Sequence, residues 1–169
     1  PQAPGVDANE QQSWKQYSVS LLVSNVVMWL ATFAIVLLQH GLPLNPDGIG
    51  NMEATLAFNT ISSFVTNTNL QHYSGETGLS YFTQMFVITF LQFVTAATGM
   101  AACIAIIRGL AGSRLTHLGS FYVDMTRAAV RVLLPLALVV GTLLIWQGTP
   151  VTFEGAVKAT TLEGQEQTI

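Results

Sequence analysis

Three long stretches of this chain are apolar around the whole circumference of a helix, not on one face. They cover residues 17–38 (YSVSLLVSNVVMWLATFAIVLL), 81–107 and 128–146, and Arg131 is the one charge within them. A helix crossing about 30 Å of hydrocarbon needs roughly 20 residues at about 1.5 Å each, so each stretch predicts a membrane span. Trp14, Tyr17, Tyr81, Tyr122 and Trp146 stand near the predicted span ends, where amphipathic rings favour the headgroup layer.

The connection over residues 39–80 has a different texture. Its first part, GLPLNPDGIGN, reads as irregular turns. NMEATLAFNTISSF (51–64) then predicts a short amphipathic helix over 52–64, with Asn51 as N-cap and Glu53 in its first turn. Met52, Leu56, Phe58, Ile61 and Phe64 form its apolar face. That helix is too short to span, and a helix that returns to the side it came from is re-entrant. The run Val65 to Thr77 (VTNTNLQHYSGET) follows. Its Asn and Thr side chains compete for backbone hydrogen bonds and break helices, so the run should be irregular. Irregular backbone at membrane depth survives where it is buried or lines a wet cavity, and peptide carbonyls there can replace the water shell of a cation. An ordinary wet surface loop has the same composition, and at this point both readings stand.

Charge sharpens the picture. Charged residues are 9% of the chain, hydrophobic residues 50%, and mean hydropathy is +0.48. Soluble domains carry about 25% charge and disordered chains are charge-rich, so both classes are excluded. A net charge of −3 with six basic residues gives no footprint for nucleic acid. One cysteine, Cys103, permits no internal disulfide. No Lys or Arg lies between Lys15 and Arg108, whereas Arg108, Arg114, Arg127 and Arg131 cluster between the second and third spans. Basic flanks stay cytoplasmic. Residues 39–80 are therefore expected outside, and so is the tail, with Lys158 as a mild exception. The first fifteen residues lack the pattern of a signal peptide. The start at Pro1 and the polar run from Glu163 to Ile169 suggest a fragment of a longer protein.

The strings NTISSFVTNTNLQHYSGETGLSYFTQM, WKQY, QHGLPLNP and LEGQ resemble the potassium-translocating A subunit of the bacterial Kdp-type potassium-transporting ATPase, over nearly the whole chain. That family belongs to a superfamily built from four helix–pore-loop–helix units per subunit. The resemblance implies an all-α membrane protein of one such unit plus one further transmembrane helix. On this reading residues 1–15 are a polar N-terminal segment and 16–108 the first repeat, with the half-helix at 52–64 and a filter at 65–69. A cytoplasmic connection follows at 109–127, then the first helix of the second repeat at 128–147 and an outer tail at 148–169.

The resemblance further implies a filter for potassium at the outer face of the inner membrane. Val65, Thr66, Asn67 and Thr68 would offer backbone carbonyls, and Asn69, Gln71, Ser63 and Glu76 would support the filter or form its rim. Potassium would be the transported ion, with no other cofactor. It would pass to a P-type ATPase catalytic B subunit, accompanied by small accessory subunits within membrane lipid. Hydrolysis would belong to that partner, and the absence of a phosphate-binding glycine loop or a DKTG motif from this sequence agrees with a non-hydrolytic chain. His72 departs from the small polar residue expected after Gln71. A gradient-driven potassium transporter of the same superfamily and a non-conducting assembly module are the competing functions.

The remaining candidates point to structure. His40, His72 and His117 are far apart and make no closed zinc set, which needs four ligands. Asp47 and Glu76 read as solvated acids that raise local cation concentration at most. Cys103 is expected to be buried, beside a packing face of Ala96, Ala97, Gly99, Ala101 and Ala102. Residues 109–126 predict an amphipathic surface helix through Leu110, Leu115, Leu118, Phe121 and Met125. It would pair Asp124 with Arg127 or Arg131 and serve as a possible docking surface for the ATPase partner. Pro135 is expected to kink the third span.

Overall fold

The computed structural model describes residues 11–112, 116–155 and 157–168. Residues 1–10, and with them most of the polar N-terminal segment, lie outside that description, as do Arg114 and Leu115 of the connecting segment and the side chain of Lys158. Among the described residues, three helices are long and apolar enough to cross a membrane: α1 (Trp14–Leu37), α4 (Tyr81–Ala111) and α5 (Phe121–Trp146). Between the first two lie α2 (Ala54–Val65) and the single turn α3 (Gly75–Gly78). A two-stranded antiparallel hairpin, β1 (Lys158–Thr160) with β2 (Glu166–Thr168), pairs Ala159 with Gln167 in the tail. Among the described residues it is the one pair of strands in the otherwise helical fold.

Each long helix begins where a side chain satisfies its first amides. In α1 the Ser13 hydroxyl accepts from the Gln16 amide at 3.4 Å, and the Gln16 side chain accepts from the Ser13 amide at 2.9 Å. This reciprocal capping box starts the first span at Trp14, three residues before the apolar run. In α4 the Ser80 hydroxyl accepts from the Thr83 amide. Both α4 and α5 contain a widened π-type stretch, over Gln84–Thr89 and Ala128–Leu133. The second of these precedes Pro135, whose ring has no N–H and crowds the carbonyl four residues earlier. The wide turn accommodates the proline within a continuous helix.

The chain forms two compact units, one from the residues up to Met28 with Gln92–Thr149, the other from Trp29–Leu91 with the residues from Pro150 on. In the first, Tyr17, Ala101, Ala105 and Phe121 form a buried cluster, with Leu21, Leu118, Tyr122 and Met125 packed against it. The Tyr17 ring meets Phe121 edge-on at 5.6 Å. Its hydroxyl donates to the Ala101 carbonyl at 2.8 Å and lies 3.3 Å from Asp124 Oδ2. Tyr17 is therefore a packed core residue, not the interfacial ring its position at a span end predicted.

The expected surface helix over 109–126 is not formed as one piece. Its first residues end α4, and its last ones begin α5 at Phe121, seven residues earlier than predicted. Gln12 explains the early start. Its backbone pairs with residues 118 and 119 (Gln12 amide to Gly119 carbonyl, 2.8 Å; Leu118 amide to Gln12 carbonyl, 2.9 Å), and its side-chain oxygen accepts from the Phe121 amide at 2.9 Å. Of the apolar residues of the connection, Phe121 is buried and Leu118 and Met125 pack beside it, while Leu110 is exposed. Asp124, expected to pair with Arg127 or Arg131, is buried and pairs with Arg108 instead. The packed small-residue face of α4 is Ala97, Ala101 and Ala105, while Gly99 and Cys103 are exposed. Burial of Cys103 is corrected accordingly, since helical periodicity turns position 103 away from that face.

In the second unit, α2 buries Ala57, Thr60, Ile61, Ser63 and Phe64. Phe58, assigned to its apolar face, is exposed, yet its ring meets Trp29 edge-on at 5.4 Å. Trp29 also stacks on Phe33 and donates from Nε1 to the Ser62 hydroxyl at 3.0 Å. In the tail, the Tyr81 hydroxyl donates to the Glu154 carbonyl and its ring meets Phe153 edge-on.

Candidate functional site

The turn that follows α2 is built by the helix end itself. Glu53, not Asn51, is the N-cap: its carboxylate accepts from the Leu56 amide at 2.9 Å and from the Thr55 hydroxyl. The Thr55 hydroxyl first, then the backbone amides, hold the Glu53 carboxyl below its ordinary range. Asn51 instead accepts the His40 amide at 2.9 Å. This moves the helix to Ala54–Val65, so Val65 is its last residue and not the first of an irregular run.

Residues 66–70 then fold back onto the last turn of α2. The amides of Thr66, Asn67, Thr68 and Asn69 donate to the carbonyls of Ser62, Phe64, Ser63 and Ser63 respectively, at 2.9–3.3 Å. Ser63 is the hub. Its carbonyl also accepts from the Thr68 hydroxyl at 3.0 Å, and its own hydroxyl accepts from the Leu70 amide at 2.7 Å. Asn67 and Asn69 have φ of 59° and 55°, left-handed values that asparagine tolerates better than other residues with a Cβ. These bonds satisfy the carbonyls a helix leaves orphaned at its C-terminus. The backbone amides of residues 66–69 that close the turn donate to carbonyls of Ser62, Ser63 and Phe64, not to those of Val65, Thr66 or Thr68.

Of the residues singled out by sequence, Ser63, Val65, Thr66, Asn67, Thr68 and Asn69 are brought together in this turn, with 66–69 exposed. Gln71 and His72 are exposed just beyond it. Glu76 lies elsewhere, in α3, where the Ser74 hydroxyl holds its carboxyl below the ordinary range. It lines a cleft of about 360 Å³ together with Asn45, Asp47, Ser80 and Gln84. Tyr73 is half-buried, and that burial pushes its hydroxyl up to about 12.

Sequence reasoning passed over Gln39. It is fully buried, and its amide nitrogen donates to the Gly50 and Gly78 carbonyls at 2.8 and 2.9 Å while its oxygen accepts from the Ser80 amide at 3.3 Å. The available signal was a glutamine set directly after an uninterrupted apolar run.

Three helices long and apolar enough to span, two of them joined through a shorter helix and a capped polar turn, define a helical membrane protein. The chain belongs to the family described as "Potassium-transporting ATPase A subunit", whose profile matches residues 2–169. Among its relatives are the potassium-binding subunits of the potassium-transporting ATPase of Caldanaerobacter subterraneus subsp. tengcongensis (50% identical), Pseudomonas entomophila (52%) and Pseudomonas aeruginosa (51%). Each alignment covers 165 residues, which is 98% of this chain and 29% of the relative. The chain thus spans under a third of the length of these curated relatives.

Proposed function

We propose that this chain supplies one segment of a potassium-selective filter to the membrane subunit of an ATP-driven uptake complex of the bacterial inner membrane. The observation that carries the reading is the turn after α2. Its amides are spent on the helix end, and the carbonyls of Val65, Thr66 and Thr68 take no part in closing it. The negative end of the α2 dipole adds attraction for a cation at this point. Asn67 contributes the same way as part of the turn, while Asn69 and Gln71 form its rim. Glu76, in its cleft with Asp47, supplies negative charge nearer the entrance. The basic residues flanking the spans support an outer position for this turn. Potassium then moves on to a P-type catalytic subunit, which hydrolyses the ATP with small accessory subunits in attendance.

One turn cannot encircle an ion, so the remaining coordination belongs to other parts of the full-length subunit. The test uses that full-length subunit in its complex, carrying Thr66→Ala or Gln71→Arg, with potassium- and rubidium-dependent ATPase activity as the readout. Gln71→Arg places a cation at the rim and is expected to lower apparent potassium affinity at least tenfold. Unaltered affinity and selectivity in both variants would refute the filter.

A further inference from the structure

A side chain outside the turn holds the segment that carries it. Residues 51–77 contain α2, the turn and the start of α3, and Gln39 touches backbone on both sides of them. Gly50 lies four positions before the first residue of α2, Gly78 closes α3, and Ser80 caps α4. Both N–H groups of the Gln39 amide are used, one on Gly50 and one on Gly78, and its oxygen takes the Ser80 amide. Only a carboxamide has two donors and an acceptor on one flat group of this size. The Gln39 side chain and Ser80 are fully buried, so a partner lost by the Gln39 amide is not replaced by water without opening the packing. Neighbouring contacts fix the same leg: the His40 amide donates to Asn51 Oδ1 at 2.9 Å, and Asn45 exchanges hydrogen bonds with Ile49 through its side chain at 2.8 and 2.9 Å.

We infer that Gln39 is a positioning residue for ion selection: by clasping Gly50, Gly78 and Ser80 it sets the separation of the two legs of the outer connection, and so the placement of the turn at 66–70. This inference rests on the filter reading above. A filter discriminates between ions of similar size only while its oxygens are held in place. Loosening the legs should therefore change selectivity before it changes assembly.

The experiment uses the full-length subunit in its complex, with Gln39→Leu, Gln39→Asn, Thr68→Ala and Tyr17→Phe compared. Half-saturating potassium, the potassium-to-rubidium preference and thermal stability are measured on folded, assembled complex. Gln39→Leu is expected to raise half-saturating potassium about tenfold and to narrow the preference several-fold. Gln39→Asn keeps the amide on a shorter arm, gives the same shift at smaller size, and serves where leucine blocks assembly. Tyr17→Phe removes a buried hydrogen bond from the other unit and controls for destabilisation alone, with lower stability and unaltered selectivity. If Thr68→Ala moves selectivity while the Gln39 variants change only stability, the inference is overturned and the filter stands. If neither Thr68→Ala nor the Gln39 variants move selectivity, both are overturned.

Discussion

Asp124 receives both terminal nitrogens of Arg108, at 2.5 and 3.0 Å, and the same Arg108 nitrogen that makes the shorter bond also donates to the Leu118 carbonyl at 2.8 Å. Asp124 is buried to 5% side-chain exposure, whereas Arg108 retains 39%. The fork therefore brings a wet cation to a dry carboxylate and fastens the end of α4 to the first turn of α5. Removing the arginine leaves the buried carboxylate with the Tyr17 hydroxyl but no cation; breaking a fully buried pair from one side costs about 3–5 kcal/mol, and the exposure of Arg108 lowers that figure here. Arg108→Ala is expected to destabilise the subunit strongly in thermal unfolding followed by size-exclusion in detergent. Arg108→Lys should recover only part of the loss, because a point charge cannot make both bonds.

Asn67 and Asn69 each hold a left-handed backbone within the turn. A β-branched residue in that conformation is strained by about 1–2 kcal/mol, whereas glycine reaches it without a clash. Asn67→Gly and Asn69→Gly should accordingly preserve thermal stability, and Asn67→Val and Asn69→Val should lower it. Equal stability of the glycine and valine variants would show that the turn does not keep this geometry.

The spans were legible because a membrane helix needs only length and apolarity, which single residues report. Their ends were less so. Gln16 reaches back to Ser13 and begins α1 early, and Gln12 begins α5 early from more than a hundred residues away. Local periodicity carries no trace of the second kind of bond. The same limit hid the partner of Asp124: Arg127 and Arg131 are near in sequence, but a carboxylate buried under Tyr17 is reached from α4. In the candidate site, the polar run betrayed a helix break, and Ser63 was among the suspected supports. That Ser63 would be the hub, and Gln39 the clasp, depended on which amides were left over once the chain had folded.

The cap of α2 makes a prediction in pH. The Glu53 carboxyl is held below its ordinary value, near 4.5, by the Thr55 hydroxyl and by backbone amides. A depressed pKa means that the ionised form is preferred in the folded state. Its stabilising effect is fully present above the ordinary value and is lost as pH falls through the lowered one. Hydrogen exchange at the first amides of α2, corrected for intrinsic rates, should accelerate between about pH 4.5 and the lowered value. Glu53→Gln should exchange faster at neutral pH and show little of this dependence. A wild-type protection profile that stays flat throughout the acid range in which the protein remains folded would remove the carboxylate from the cap.

Ser63 offers the most direct separation of fold from selectivity. Its hydroxyl oxygen receives the Leu70 amide, and its carbonyl receives two further amides and the Thr68 hydroxyl. Ser63→Ala keeps the carbonyl and deletes only the hydroxyl, so the helix end remains closed while Leu70 loses its anchor. Leu70 is exposed, and water can take over its amide, which keeps the loss to about 1 kcal/mol. The turn, however, is released at the point where it leaves the helix end. Ser63→Ala is therefore expected to unfold within a few degrees of the parent yet to discriminate potassium from rubidium several-fold less well. Cysteine at the same position, whose sulfur is a weaker and longer acceptor, should fall between the two. If alanine matched serine in discrimination, the hydroxyl anchor would have no part in placing the turn.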